Sequence, residues 1–298
     1  MKRRLFLKNS IGLAALACQP DVFIYNEKEH LRMIRELEDF AEDELGLRLH
    51  RKFYRKWLPV EQQLTYVYVS RPDSILLPPG RSNFNYFGTD TLKASEFARA
   101  QTDEGFDTMV YKTSGTSATK LTHHLLNYPS EAVMFVVLHE MAHVHRDKQK
   151  LTIPYPAEES FGDFLGNYAS EEFARLKYPQ VVQYIEKQRK IQEEIYELLK
   201  TTETQTQGIE AGEKSRYYKN VSSGMQELIK DANAFQRDRY NYPVNHAYIL
   251  RNRFYYKWYF EFKNIHKKGT TLPEMVKLYD TLPATEAETD LLFKKIIK

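Results

Sequence analysis

The hydrophobic pattern of the chain changes character near residue 128. Residues 29–45 carry apolar side chains at helical spacing, and Gly46 follows at a position typical of a helix end. Short segments rich in aromatic and β-branched residues come next, at residues 65–69, 83–87 and 107–111. Because proline and glycine separate these segments, they predict the strands of a small sheet.

The second half of the chain has helical spacing throughout. Helices are predicted from Pro129 through His143 and over residues 157–176, 184–200, 217–235 and 247–266. The polar stretch 201–214 contains two glycines and predicts a flexible loop, and residues 283–298 predict one further short helix. We therefore expect an α+β protein that is mostly α-helical, with a small β-sheet N-terminal to the helix that carries His143 and a helical C-terminal half.

The length of 298 residues suits one large domain or two closely packed lobes. We expect a single domain over residues 28–283. Its sheet-containing lobe should cover about 28–128 and its helical lobe about 129–283. Residues 284–298 then form a C-terminal tail.

The first 18 residues have the layout of an export signal. A basic start precedes a short apolar run of small residues that ends at Cys18. The segment Lys2-Arg3-Arg4-Leu5-Phe6-Leu7-Lys8 resembles a twin-arginine signal. Cys18 also lies where a lipoprotein signal has its acylated cysteine, although Ala15 stands where such signals usually have leucine. We expect an exported protein, either periplasmic or membrane-anchored through lipidated Cys18 in a bacterial envelope.

Composition narrows the candidate functions. Hydrophobic residues make up 42% and charged residues 28%, as in ordinary globular proteins. Four of the 43 basic residues lie in the leader, which leaves 39 against 40 acidic residues, so no basic excess favours a nucleic-acid partner. Since Cys18 is the only cysteine, histidines and carboxylates must hold any metal.

The segment His139-Glu140-Met141-Ala142-His143 is the strongest chemical signal. Residues four apart on a helix lie on one face, so the two imidazoles can bind one metal ion. A catalytic zinc site has three protein ligands and a water. The apolar run before His139 predicts a buried helix, in which these polar groups need compensation. We therefore predict one Zn²⁺ ion, with Glu140 as the general base.

The third ligand should be a carboxylate on the next helix. Glu159 offers one, and Asp163, one turn later, is placed to accept the spare ring hydrogen of a ligand histidine. Glu158 is the alternative ligand. Both glutamates also suit a helix N-terminus for electrostatic reasons alone.

These residues predict hydrolysis of a peptide bond. The metal would polarise the carbonyl and acidify its water, while Glu140 takes the water proton and passes it to the leaving amine. Tyr155, His246 and Tyr255 are candidates for stabilising the oxyanion, and the Asn245 amide for binding the substrate backbone. A neighbouring sheet edge could bind the peptide as an added strand.

Five segments together resemble a bacterial family of predicted aminopeptidases, often lipoproteins, within the gluzincin group of metallopeptidases. They are Phe40 to Leu47, Asn127-Tyr128-Pro129, His139 to His143, Glu159-Ser160-Phe161 and Asn245-His246-Ala247. The resemblance runs from about residue 28 to residue 283. The resemblance implies a zinc aminopeptidase. The removal of N-terminal residues is implied by the resemblance alone and not by the residues of the predicted site.

Two alternatives stay open. An envelope endopeptidase would use the same site without needing a free amino terminus. A non-catalytic protein could use zinc only to hold two helices together and serve as an interaction module. A fourth protein ligand would favour the second alternative, and an open coordination position would favour catalysis.

Overall fold

The structure is a computed structural model that describes residues 27–49, 57–58, 63–72, 82–113, 115–116 and 120–297. The predicted export signal and Cys18 lie outside these residues. In the part of the chain described, no helix is both long enough and apolar enough to cross a membrane.

The helices, in chain order, are α1 (Glu27–Asp43), α2 (Thr91–Asp103), α3 (Ser130–Gln149), α4 (Tyr155–Lys177), α5 (Val182–Gln205), α6 (Ala211–Ile229), α7 (Ala234–Tyr240), α8 (His246–Tyr256), α9 (Tyr259–Lys267), α10 (Leu272–Asp280) and α11 (Glu286–Ile297). The strands are β1 (Trp57–Leu58), β2 (Leu64–Ser70), β3 (Phe84–Gly88), β4 (Asp107–Thr113), β5 (Gly115–Thr116) and β6 (Lys120–Thr122). This arrangement confirms the α+β prediction, with a small sheet before α3 and helices after it.

The larger sheet is antiparallel, in the order β3-β2-β4. Because side chains alternate across a strand, Val67 and Val69 of β2 pack on one face, against Ala94 and Ala98 of α2. The tyrosines of β2 point to the other face, where α8 packs against β2 and β4. A smaller sheet has the order β1-β6-β5, in which β1 and β6 are parallel.

The helix pair α3 and α4 forms the centre of the fold and makes the most extensive contact between described elements. Every residue of α3 from Ser130 to His145 is buried, as the apolar run predicts. A Cβ atom on Gly166 of α4 would lie 2.8 Å from the carbonyl oxygen of Phe135. Glycine therefore allows the two helix backbones to approach closely.

The predicted loop at residues 201–214 is largely wrong. Helix α5 continues to Gln205 and α6 begins at Ala211, so the connection is short. Threonine favours helices only weakly, but contacts with another helix stabilise this end of α5. Tyr256 donates to Glu203, and Arg253 forms an ion pair with the same carboxylate.

The predicted helix at residues 247–266 is two helices, α8 and α9, because Ser160 interrupts the hydrogen bonding between them. Its Oγ donates to the carbonyl of Phe254 at 3.1 Å and accepts from the backbone N–H of Trp258 at 3.1 Å. The hydroxyl thus takes the place of the helical bond between these two residues. The segment 217–235 is likewise divided, between α6 and α7. Helices α2 and α10 were not predicted.

Candidate active site

Helices α3 and α4 bring the three predicted ligands together. His139 and His143 lie one turn apart on α3, and their Nε2 atoms are 3.0 Å apart. Glu159 of α4 places Oε2 3.3 Å from Nε2 of His139 and Oε1 3.8 Å from Nε2 of His143. All three residues are buried, and they form a group whose ligand atoms lie within 4.8 Å of one another.

Each histidine contacts a carboxylate through its other nitrogen. Nδ1 of His139 lies 2.9 Å from Oδ1 of Asp163, a short contact that is not aligned as a linear hydrogen bond. Nδ1 of His143 is hydrogen-bonded to Glu158. In the neutral tautomer in which each Nδ1 carries its hydrogen toward these carboxylates, each Nε2 is left with a lone pair, as a metal ligand requires.

Two such lone pairs facing each other at this distance repel unless a cation, either a metal ion or a proton, lies between them. With zinc bonds of about 2.0–2.1 Å in a tetrahedral site, ligand atoms are about 3.3 Å apart. The observed separations of 3.0, 3.3 and 3.8 Å surround that value. Two imidazoles and one carboxylate are also a donor set that zinc accepts. The residues therefore fit a single zinc-sized ion.

The electrostatics of the site favour a cation as well. Burial lowers the pKa of His139, but Asp163 and Glu159 outweigh it and raise that pKa to about 10. Burial opposes ionisation of Glu159, yet His143 and His139 lower its pKa to about 2. Burial raises the pKa of Glu140. Glu159 and Asp163, whose pKa values are lowered, are thus the ionised carboxylates beside the imidazoles.

The structure settles the position of Glu158. Its carboxylate contacts His143 Nδ1 and the guanidinium of Arg146, on the side of the ring that faces away from His139. Glu158 therefore orients His143, as Asp163 orients His139. The sequence could not indicate this pairing, because it depends on how α3 and α4 pack.

Asp163 is in turn fixed by groups from two other helices. Its Oδ2 accepts from Arg239 of α7 at 2.6 Å, from Gln192 of α5 at 2.8 Å, and from the hydroxyl of Tyr196. Sequence analysis did not find these three residues. They carry no motif, and only the fold brings them to Asp163.

Two cavities lie beside the ligands, and Glu140 and His139 line both. We call the first the arginine cavity; it is partly open to solvent and is lined by Tyr111, Phe135, Phe235, Arg239, Arg251 and Tyr255, among others. We call the second the tyrosine cavity; it is also partly open to solvent and is lined by Tyr66, Tyr68, Phe84, Tyr111, Tyr155 and Tyr255, among others. Two partly open cavities therefore adjoin Glu140.

Two of the four candidate substrate contacts lie at these cavities. Tyr155, at the start of α4, lines the tyrosine cavity and hydrogen-bonds to Glu159. Tyr255 lines both cavities, and its ring centroid is 6.1 Å from that of His139. Both tyrosines are therefore close to the proposed metal.

The structure does not bring Asn245 and His246 to the ligands. Neither is among the described residues that line the two cavities. The Asn245 amide caps α8, accepting from Tyr248 N–H at 2.9 Å and donating to the Thr108 carbonyl at 2.9 Å. In this arrangement the amide has a structural role at the start of α8, and its contact with substrate stays a prediction. The His246 ring lies instead at the hydroxyl of Tyr218, at 3.3 Å.

A His-Glu-x-x-His helix with a glutamate from the next helix is the arrangement typical of zinc-dependent peptidases. The site therefore defines a candidate metal-dependent hydrolase. The chain belongs to the family described as Putative aminopeptidase, whose model matches residues 19–290. Searches of curated proteins and of solved structures gave no significant match. By its family, the protein is a peptidase.

Proposed function

We propose that this protein is an exported zinc metallopeptidase that acts as an aminopeptidase, and that His139, His143 and Glu159 hold the ion. The observation that carries the proposal is the facing pair of Nε2 atoms, 3.0 Å apart beside the Glu159 carboxylate. Zinc bound there would acidify a water and polarise a peptide carbonyl.

Glu140 is the general base in this proposal. It lies next to His139 in the chain, is buried, and lines both cavities. Its Oε2 has no hydrogen-bond partner among the described residues, so that oxygen is available to a water. Glu140 would take the proton of the attacking water and deliver it to the leaving amine. The hydroxyls of Tyr155 and Tyr255 are the candidate donors to the oxyanion.

The edge of the larger sheet offers a place for the peptide backbone. Among the described strands, β3 pairs only with β2, so its other edge is open to an added strand. Tyr66 and Phe84 stack at 4.6 Å and line the tyrosine cavity. A peptide added to β3 would thus run beside the proposed metal.

An endopeptidase is the second candidate. An aminopeptidase needs an acidic group for the substrate ammonium. Among the described residues of the two cavities, the carboxylates are Glu140, Glu159 and Asp163. Each already has a role at the metal, which favours an enzyme that does not require a free amino terminus. The family description favours the aminopeptidase.

A non-catalytic zinc protein is disfavoured by the ligand count. The group of potential ligands found in the described residues contains three members. Three protein ligands leave a position for water, as in catalytic sites.

The test combines metal analysis with peptide hydrolysis. We expect one zinc ion per chain, and cleavage of members of a peptide library detected by mass spectrometry. The variant Glu140→Gln should retain the metal and lose about 10²–10⁴-fold in hydrolysis. Equal activity in the variant and the wild type would exclude Glu140 as the base. Cleavage of N-acetylated peptides would identify the endopeptidase, and its absence the aminopeptidase.

Export is a separate part of the proposal and is supported by the basic and apolar leader that ends at Cys18. Fractionation of cells that express the full chain tests it. If Cys18 anchors the protein, Cys18→Ser should move it from the membrane fraction to the periplasm. Retention of the wild-type protein in the cytoplasm would contradict export.

A further inference from the structure

Arg251 of α8 is a buried guanidinium at the wall of the arginine cavity. The residue is 0% exposed. Its Nη1 donates to Oδ1 of Asn252 at 2.8 Å, while Nε and Nη2 have no hydrogen-bond partner among the described residues. Donors for at least two further hydrogen bonds are therefore available.

Aromatic rings fix the position of this group. The Arg251 Cζ atom lies 4.0 Å from the ring centroid of Tyr111 and 4.4 Å from that of Tyr255. Cation–π contacts of this kind compensate only part of the cost of burying a charge. Arginine keeps its charge, and no described carboxylate forms an ion pair with Arg251. Among the described residues, the charge of Arg251 is therefore not balanced by a carboxylate.

Arg239 lines the same cavity but has a carboxylate partner. Its Cζ lies 4.7 Å from the Tyr255 centroid, and its Nη2 donates to Asp163 at 2.6 Å. The charge of Arg239 is therefore balanced by Asp163, whereas that of Arg251 is not. Of the two guanidiniums that line this cavity, only that of Arg251 lacks a carboxylate partner among the described residues.

The cavity connects this cation to the proposed reaction centre, since Glu140 and His139 also line it. The Tyr255 ring contacts both groups: its centroid is 4.4 Å from Arg251 Cζ and 6.1 Å from the His139 ring centroid. Arg251 and the His139 ring are therefore at most roughly 10 Å apart, which an extended peptide covers in about three residues. A group bound at Arg251 would thus belong to a residue close to the scissile bond.

We propose that Arg251 binds a carboxylate of the peptide substrate, so that the protein prefers peptides with a carboxylate within about three residues of the cleaved bond. The inference rests on the proposed function. The carboxylate is either an acidic side chain or the C-terminal carboxylate of a short peptide, and the experiment below separates these sources.

The test measures binding, so that it does not depend on hydrolysis. Zinc-loaded Glu140→Gln protein is titrated calorimetrically with short peptides in pairs. In one set glutamate is compared with glutamine at each position, and in the other a free C-terminal carboxylate is compared with its amide. We expect at least one pair to show about tenfold or more tighter binding of the charged member. The pair that shows this difference in affinity identifies whether Arg251 binds an acidic side chain or the C-terminal carboxylate.

Substitution of the arginine then assigns the preference. Adding Arg251→Met should make the two members of the responding pair bind alike, while Arg251→Lys should keep part of the preference because the charge remains. Arg189→Met is the matched control, since Arg189 also stacks on a tyrosine, Tyr168, at 4.6 Å but is paired with Glu171. The control should leave the preference unchanged.

Two results would overturn the inference. One is equal affinity for both members of every peptide pair in the Glu140→Gln protein that keeps Arg251. This result does not depend on whether Arg251→Met folds. The other is a preference that a folded Arg251→Met protein retains. Hydrolysis of the same peptides by wild-type protein tests the proposed function separately, so cleavage without any carboxylate preference would remove only this inference.

Discussion

A Cβ atom on Gly162 would lie 2.8 Å from Nδ1 of His139. The glycine of α4 thus leaves the space that the imidazole of α3 occupies, one residue before the Asp163 that contacts the same nitrogen. In Gly162→Ala the added methyl group should push the ring away from Asp163 and from the other ligands. We expect zinc affinity to fall about 10–100-fold, as for loss of an orienting contact, measured by competition with a chelator.

Gly224→Ala is the matched control for this substitution. Gly224 lies within α6, and its added Cβ would meet Leu198 at an ordinary contact distance of 3.7 Å. Alanine should stabilise that helix by about 0.5–1 kcal/mol and leave zinc affinity unchanged. If Gly162→Ala bound zinc as tightly as the wild type, the observed position of the His139 ring would not be needed for zinc binding.

The adjacent glutamates Glu158 and Glu159 should respond differently to the same change. Glu159→Gln replaces a proposed ligand, whereas Glu158→Gln keeps a hydrogen-bond acceptor for His143 and loses the charge that also pairs with Arg146. We therefore expect Glu158→Gln to weaken zinc binding by about 10–100-fold, and Glu159→Gln to weaken it further. The same chelator competition ranks the two variants. The reverse order would identify Glu158 as the ligand.

Glu171→Gln is a suitable control for these variants. Glu171 lies on the same helix but pairs with Arg175 and Arg189, away from the ligands. Its zinc affinity should equal that of the wild type.

The sequence predicts the part of the site that depends on local spacing. Histidines four apart, and a glutamate four residues before an aspartate, share a helix face wherever the helices pack. The contacts of Arg251 with Tyr111 and of Asp163 with Gln192 join distant segments, so no local pattern indicates them. The larger strands follow from alternation and turn residues in the same way, and were predicted correctly.

The errors in the helical half have a similar cause. Residues 201–214 look like a loop because polar residues dominate there, and packing of Glu203 against α8 overrides that tendency. The break after Tyr256 is caused by Ser160, which lies nearly a hundred residues earlier in the chain. The role of Asn245 as a helix cap likewise depends on where Tyr248 and Thr108 lie, so the sequence did not indicate it.

Ser160 next to Glu159 should contribute to stability through the junction of α8 and α9. In Ser160→Ala the buried N–H of Trp258 loses its acceptor, which costs about 1–3 kcal/mol. Denaturant unfolding measures this change. Ser223→Ala, at an exposed helical serine, is the control and should change stability by less than about 0.5 kcal/mol. Equal stability of the two variants would show that the Ser160 hydroxyl is not needed to end α8.

Zinc binding to the metal-free protein should release protons. Burial lowers the pKa of His139, but Asp163 and Glu159 outweigh it and raise that pKa to about 10, above its ordinary value of 6.5. We therefore expect the ring to be protonated at pH 7 in the metal-free protein. A zinc ligand must be neutral, and binding at pH 7 should therefore displace about one proton from His139. Because binding releases a proton, zinc affinity should rise with pH. The expected increase is about tenfold per pH unit above pH 7, until the pH approaches the His139 pKa. Calorimetric titration in buffers of different ionisation enthalpy measures the number of protons released.

Asp163→Asn removes one of the two carboxylates that raise the pKa of His139, so fewer protons should be released when zinc binds to this variant. A binding heat that does not depend on the buffer would contradict a protonated His139 and, with it, the charge balance inferred for the site.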